Sequence, residues 1–256
     1  MDATTLEAGL LIVVGGTVVA VAGLFAVVRW MPGVRNREDE GAKGVFFSMV
    51  GVLYALLLAF VVVLVWGDFV DAGDNSLTEV ARMRNLARDA DAFPNAETVR
   101  IHQRLGTYAR AVAGPEWATM ANGNSSPVAE RAYDEIWDEY YRIEPKTERE
   151  KAFYAESVAR LNDLGESRRL RLLSSRSTVP ALMWGLLAVG FVITIGWTYL
   201  FELRTMAMNA VAVGSVAALS AFVLFLIYAL EHPFAGEVKI SRQPYVEFAR
   251  QYTPSP

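Results

Sequence analysis

The chain has 256 residues, no cysteine, 53% hydrophobic and 20% charged residues, and a formal net charge of -4. This apolar content is unusual for a soluble domain, and the missing cysteines exclude thiol catalysis, thiolate metal sites and disulfides. The negative charge argues against a general nucleic-acid-binding protein, which needs a basic face.

The apolar residues form four blocks that each have the length of a membrane span, because a hydrocarbon core about 30 Å thick needs roughly 20 helical residues. These blocks are residues 6–28, 44–67, 179–201 and 207–230. Short connections pair them into two transmembrane hairpins, at 1–67 and 179–230. No block carries Asp, Glu, Lys, Arg or His at mid-depth, which argues against proton-coupled pumps. Rows of small residues predict close helix packing, within one subunit or at an oligomer seam.

The polar middle, residues 68–178, is predicted to be a helical extramembrane domain. Apolar residues recur every three or four positions, Gly114-Pro115 is expected to break a helix, and Thr147 with Glu150 has the spacing of a capping box. Residues 231–256 form a C-terminal tail. The predicted fold is therefore all-α: an integral membrane protein with four transmembrane helices in two hairpins flanking a helical extramembrane domain.

The densest positive cluster comes just before the third span. Its members are Arg168, Arg169, Arg171 and Arg176. Such a cluster is typical of a membrane-proximal anchor that reaches lipid headgroups, and the alternative is a vestibule that attracts anions.

Enzymatic chemistry has little support in this sequence. The two histidines, His102 and His232, have no spacing for a metal site, and neither a phosphate-binding loop nor a nucleophile elbow is present. We therefore expect no catalytic residue, no cofactor and no metal. A multi-pass protein of the plasma or inner membrane is expected. The count of basic residues favours a cytoplasmic domain and cytoplasmic termini, although the short first loop is itself basic.

Three stretches of the chain resemble a known family. They are residues 51–60 in the second span, residues 161–173, and residues 228–237 after the fourth span. The third stretch contains a tail motif of Glu231, His232, Pro233, Phe234, Gly236 and Glu237. Together they resemble the bestrophin-like family of bacterial membrane proteins, and more distantly the bestrophin anion channels. The resemblance implies a pentameric, anion-conducting assembly whose second span lines the pore and whose helical domain extends the conduit into the cytoplasm.

The second span has a face on which polar or small residues give way to branched apolar ones. Its candidate pore-lining residues are Ser48, Gly51, Ala55, Leu58, Val62 and Val65. A ring of such side chains can gate by dewetting, or the face packs against neighbouring helices.

Two functions therefore remain open. The first is a homo-oligomeric passive conduit for small inorganic ions, with anions and a pentamer favoured, embedded in the lipid bilayer. The second is a membrane-anchored interaction or sensor module whose helical domain binds a partner. Aromatic residues available for such contacts are Trp117, Trp137, Tyr140 and Tyr141.

Overall fold

A computed structural model describes residues 3–31, 40–176, 178–236 and 238–252. The described residues contain helices and no strand, which confirms the all-α prediction. The helices are α1 (Ala3–Trp30), α2 (Glu40–Ala90), α3 (Asn95–Ala111), a π-helical turn (Val112–Glu116), α4 (Trp117–Met120), α5 (Pro127–Tyr141), α6 (Glu148–Ser174), α7 (Ala181–Tyr199), α8 (Met206–Leu230) and α9 (Gln243–Tyr252).

Four helices, α1, α2, α7 and α8, are long and apolar enough to cross a membrane, which confirms the prediction of four spans. The second helix differs from the predicted span in length. It continues past residue 67 to Ala90, so the end of the apolar block is not the end of the helix. No proline occurs between residues 44 and 93, and a change from apolar to polar side chains does not by itself stop a helix.

The chain divides into two compact units. The membrane unit comprises Met1–Gly67 and Thr178–Glu231, and the helical unit comprises Asp68–Ser177 and His232–Pro256. The C-terminal helix α9 therefore belongs to the helical unit, where Tyr245, Phe248 and Ala249 are buried in the core.

Small residues bring α1 and α8 together in the membrane unit. A Cβ added at Gly16 would lie 3.6 Å from the Cβ of Ala221, and one added at Gly214 would lie 3.6 Å from methyl groups of Thr17 and Val21. Of the two roles predicted for the small-residue rows, the structure shows packing within one subunit at these positions.

Helix α2 packs against α7 and the residues that follow it in the same unit through three aromatic contacts. The rings of Phe46 and Trp197 stack with centroids 6.2 Å apart, and those of Phe47 and Phe201 meet edge to face at 5.4 Å. Further along, the ring of Tyr54 lies on Gly190. Since residue numbers rise on α2 as they fall on α7, the two helices are antiparallel.

The starts of the helices in the helical unit follow local rules. Pro127 occupies the first position of α5, and the Ser126 hydroxyl accepts a hydrogen bond from the Val128 amide. The predicted capping box at α6 is confirmed, because the Thr147 hydroxyl accepts from the Glu150 amide at 3.1 Å and the Glu150 carboxylate accepts from the Thr147 amide at 3.3 Å.

The segment with Gly114-Pro115 differs from the prediction of a helix break. The chain widens there into the π-helical turn and continues into α4. A π-helical turn accommodates a proline without ending the helix, because the hydrogen-bond ladder is already interrupted by the extra residue.

Candidate functional site

One face of α2 in the membrane unit is buried against its own subunit. Tyr54, Leu58, Val61 and Val65 recur every three or four residues and are at most 8% exposed. The six predicted pore-lining residues are therefore split between environments: Leu58 and Val65 are buried, Gly51 and Val62 are half-buried, and Ser48 and Ala55 are exposed. Leu58 and Val65 thus differ from the prediction, since a residue that lines a passage between subunits must be exposed on the isolated subunit.

Between residues 48 and 64, the exposed positions of α2 form two parallel stripes. One, the small stripe, is made of Ser48, Val52, Ala55, Ala59 and Val63. The other, the bulky stripe, is made of Met49, Leu53, Leu56, Phe60 and Leu64. Both repeat at spacings of four, three, four and four residues, so each follows one line along the helix. Neither stripe contains a charged side chain.

A buried charge cluster lies in the helical unit, centred on Arg171 of α6. The guanidinium of Arg171 donates to both carboxylate oxygens of Glu79 on α2, from Nε at 2.6 Å and from Nη2 at 3.3 Å. Its Nη2 also donates to Glu116 in the π-helical turn at 2.6 Å. All three side chains are fully buried. The cluster therefore ties together three segments that are far apart in the sequence.

Two tyrosines and a second arginine complete the cluster. The Tyr245 hydroxyl of α9 donates to Glu79 at 3.0 Å and also lies 3.1 Å from the Ser76 carbonyl oxygen, and the Tyr108 hydroxyl of α3 donates to the other Glu79 oxygen. Arg168 donates to Glu116 at 3.0 Å. Two carboxylates thus face two guanidinium groups, which is the balance that buried charges require.

Burial and the neighbouring charges shift the pKa values of Arg171, Tyr108 and Tyr245. Burial alone would lower the pKa of Arg171, but the carboxylate of Glu79 and the neighbouring tyrosine hydroxyls more than offset it, so the pKa is raised above its ordinary value. Burial first, and the charge of Glu79 second, raise the pKa of both Tyr108 and Tyr245 well above their usual 10. Both tyrosines therefore act as neutral hydrogen-bond donors to Glu79.

The four arginines predicted as an anchor or a vestibule do not form one group. Arg171 is enclosed, so its position differs from that prediction. Arg168 is mostly buried in the same cluster. Arg169 is 68% exposed and pairs with Glu166 at 3.0 Å. Arg176 is exposed and donates from Nε to the Gly123 carbonyl at 3.0 Å. Of the four, only Arg169 and Arg176 are exposed.

The first residue of the tail motif ties the end of α8 to the start of α7 in the membrane unit. The carboxylate of Glu231, just after α8, accepts hydrogen bonds from the Val179 amide at 2.8 Å and from Nε1 of Trp184 at 3.1 Å. Val179 lies two residues before α7, and Trp184 lies in its first turn. The carboxylate thus gives hydrogen-bond partners to one backbone amide and one indole N–H at this end of the helix. Glu231 therefore has a structural role.

The next residues of the motif form a turn in the helical unit. The Ala235 amide donates to the His232 carbonyl at 3.0 Å, and the Ile240 amide donates to the Pro233 carbonyl at 2.9 Å. The buried ring of Phe234 lies edge to face with Trp117 at 5.2 Å. Gly236 has a φ of 72°, a conformation that favours glycine. Glu237 lies outside the described residues.

The aromatic residues considered for partner binding are mostly internal. Trp117 and Tyr140 are buried in the core of the helical unit. Trp137 is half-buried and donates to the Tyr133 hydroxyl at 3.1 Å. Tyr141 alone among the four is strongly exposed, at 72%, and stacks on Trp137 with ring centroids 5.7 Å apart. These four residues therefore offer one exposed ring rather than a contact surface.

No group of three or more His, Asp or Glu side chains that could hold a metal ion occurs within the described ranges.

Four apolar spanning helices and a helical unit with a charged core define an all-helical, multi-pass membrane protein. The chain belongs to the bestrophin-like family, because the model of the bestrophin-like domain matches residues 15–245. No curated protein matches the chain.

Solved structures have the same fold. A bacterial bestrophin homologue from Klebsiella pneumoniae, solved by Zn-SAD phasing, is 15% identical, with 96% of each chain covered and a TM-score of 0.69. A point mutant of the Klebsiella pneumoniae homologue is 15% identical over 97% of each chain, with a TM-score of 0.68. A mutant membrane protein is 14% identical over 98% of each chain, with a TM-score of 0.70. At these identities the likeness shows the fold.

Proposed function

We propose that the chain is one subunit of a homo-oligomeric conduit for small ions, lined by the small stripe of α2. The observation that carries this proposal is the division of the exposed face of α2 into a small stripe and a bulky stripe. Small side chains allow symmetry-related helices to approach one another around a narrow passage, whereas leucine and phenylalanine suit contact with lipid or a neighbouring subunit. The proposal keeps Ser48 and Ala55 from the sequence prediction and adds Val52, Ala59 and Val63.

The stripe suits passive conduction. It carries no ionisable side chain that would hold an ion or a proton within the bilayer, and its branched apolar positions are suited to gating by dewetting. The bestrophin-like family supports anions as the favoured permeant species and a pentamer as the favoured assembly. Anion preference is measured in vesicles with a chloride gradient against a sodium gradient, and subunit number by the mass of the detergent-free particle. A monomer, which has no passage between subunits, contradicts the proposal.

The absence of native cysteine gives a direct test of the stripe. Single cysteines at Ala55 and Ala59 are compared with matched single cysteines at Leu53 and Leu56 on the bulky stripe. A charged, water-borne thiol reagent should block ion flux through reconstituted vesicles in the first pair and leave it unchanged in the second. All four side chains are exposed on the subunit, so each substitution is tolerated by the fold. The small stripe does not line the conduit if the reagent blocks ion flux only in the variants at Leu53 and Leu56. The same conclusion follows if oriented, folded protein passes no ions.

A bulky substitution provides an independent comparison. A Cβ at Gly51 on α2 or at Gly185 on α7 meets nothing within 4 Å in the subunit. Gly51 borders the small stripe and Gly185 does not belong to α2, so Gly51→Leu should reduce flux several-fold and Gly185→Leu should not. Equal effects of the two substitutions indicate a general packing defect.

For orientation, we propose that the helical unit and both termini are cytoplasmic, in the plasma or inner membrane, with Arg169 and Arg176 near headgroups. A single cysteine at Asn124, which is exposed in the loop before α5, should be inaccessible to an impermeant reagent in intact cells and accessible after permeabilisation. Labelling of intact cells places the helical unit outside.

A further inference from the structure

In the described part of the membrane unit, two buried hydroxyl groups have no hydrogen-bond partner. They belong to Tyr54 of α2 and Thr194 of α7, which are 6% and 4% exposed. In hydrocarbon an unsatisfied polar group is costly because no bulk water is present to replace the lost bond. Other hydroxyls of the membrane unit have partners: those of Thr17, Ser48 and Ser215 each donate to the carbonyl four residues earlier, and that of Tyr199 donates to the Ala20 carbonyl at 2.7 Å.

Gly190 places these two hydroxyls on one seam. A Cβ added at Gly190 would lie 2.5 Å from Cδ2 of Tyr54, so the missing side chain lets the ring lie on the α7 backbone. Thr194 follows Gly190 by one helical turn and therefore lies on the same face of α7.

The expected direction of the Tyr54 side chain is toward Thr194. A long side chain on a helix leans toward the helix N-terminus. Because α2 and α7 are antiparallel, the ring of Tyr54 leans from the level of Gly190 toward that of Thr194. This direction points the Tyr54 hydroxyl along the seam between α2 and α7 toward Thr194.

We propose that Tyr54 and Thr194 form a binding site for one buried water molecule between α2 and α7. A hydroxyl can both donate and accept, so one water molecule can bond to both oxygens at once, as buried waters do. The site does not suit an ion. Residues 44–67 and 181–199 contain no charged side chain, and an ion in this position would lose its hydration without a counter-charge. The bound water holds α2 on α7 and does not depend on the conduit.

Removing the hydroxyls one at a time tests the site by the sign of the effect. Tyr54→Phe and Thr194→Val should each lower the thermal unfolding midpoint of the full chain in nanodiscs, by about 3 °C, because the water loses a partner and the other hydroxyl is left unsatisfied. The double variant should unfold at a higher temperature than either single variant, since replacing both partners by apolar groups is nearly neutral. If the hydroxyls are simply unsatisfied, each single substitution raises the midpoint, and the proposal fails.

Thr198→Val serves as the matched control. Its hydroxyl is also buried in α7 but donates to the Ile195 carbonyl of its own helix at 2.6 Å. In the double variant with Tyr54→Phe, the two changes in unfolding midpoint should therefore add. With Thr194→Val, by contrast, the double variant should recover part of the midpoint lost in the single variants.

A high-resolution structure of the full chain in nanodiscs separates a bridging water from a direct bond. The proposal expects an ordered density within about 3 Å of both Tyr54 Oη and Thr194 Oγ1. A direct bond between the two oxygens, or an empty seam, overturns it.

Discussion

Replacing Arg171 with methionine removes one of two positive charges from a cluster that contains two carboxylates. Glu79 and Glu116 both bind this guanidinium, at 2.6 Å each, and all three side chains are fully buried. Breaking a buried ion pair from one side costs about 3–5 kcal/mol, because the remaining charge is left in a medium that does not solvate it. Total stabilities of native proteins are about 5–15 kcal/mol, so this loss is at least about a fifth of the total stability.

The assay is thermal unfolding of the full chain in nanodiscs, followed by circular dichroism. At about 2–4 °C per kcal/mol for a chain of this size, Arg171→Met should lower the midpoint by about 6–20 °C. The matched control is Arg169→Met, two residues earlier, where the side chain is 68% exposed and its ion pair with Glu166 is solvated. That control should change the midpoint by about 2 °C or less.

A double variant separates charge from shape. Adding Glu79→Gln to Arg171→Met restores the balance of one carboxylate and one guanidinium, Glu116 with Arg168, and should recover part of the lost stability. Equal shifts for Arg171→Met and Arg169→Met would refute the reasoning, because they would mean that the enclosed guanidinium contributes no more than a surface one.

Two further predictions concern the same helical unit. A Cβ at Gly165 would overlap the Tyr133 hydroxyl and lie 3.2 Å from its Cζ, whereas one at Gly73 meets nothing within 4 Å. Gly165→Ala should cost about 1–3 kcal/mol and Gly73→Ala should add about 0.5–1 kcal/mol, measured by urea unfolding, and a gain at Gly165 would contradict the packing. The raised pKa values of Tyr108 and Tyr245 mean that the folded chain holds these protons more tightly than the unfolded chain. Their contribution is complete below pH 10 and is lost as the pH rises above 10 through the folded-state values, so the unfolding midpoint should fall over that window, less steeply in Tyr245→Phe. A midpoint that stays constant above pH 10 would argue against the buried tyrosines.

The membrane spans were predictable because a bilayer imposes a length and a composition that a sequence displays directly. The end of α2 was not, because the chain leaves the apolar block near Gly67 without any signal that stops a helix. The first such signal is Phe93-Pro94, and α2 ends at Ala90. Hydropathy thus locates the membrane section of a helix and says little about where the helix ends.

The buried and exposed faces of α2 in the membrane unit could not be distinguished from the sequence. Leu58, Val61 and Val65 are as apolar as the exposed stripes, so amphipathic patterning cannot distinguish the buried face of α2 from its exposed faces. The one available signal was side-chain size, since Ala55 and Ala59 continue the small stripe. A prediction centred between the buried face and the small stripe therefore included residues from both.

The charge cluster was missed for a different reason. Glu79 and Arg171 are 92 residues apart, and a long-range ion pair leaves no periodic trace. The spacing within α6 gives a partial signal. Arg171 follows Leu164 by seven residues and Arg168 by three, so it lies on the apolar face of α6 with Leu161. A charged residue in register with a buried face predicts a buried ion pair, whereas a count of arginines predicts a headgroup anchor.

The two units of the chain handle polar groups in opposite ways. In the helical unit, Glu79, Glu116 and Arg171 are fully buried and each charge has an opposite charge within 3 Å. In the described membrane unit, the buried polar groups of α2 and α7 are neutral hydroxyls such as Tyr54 and Thr194. A counter-charge fixed in a spanning helix would itself need solvation in lipid, which favours neutral groups there. In the proposed conduit, the small stripe of α2 would therefore act on an ion through its width and its hydration, and a fixed charge would contribute to selection only outside the bilayer.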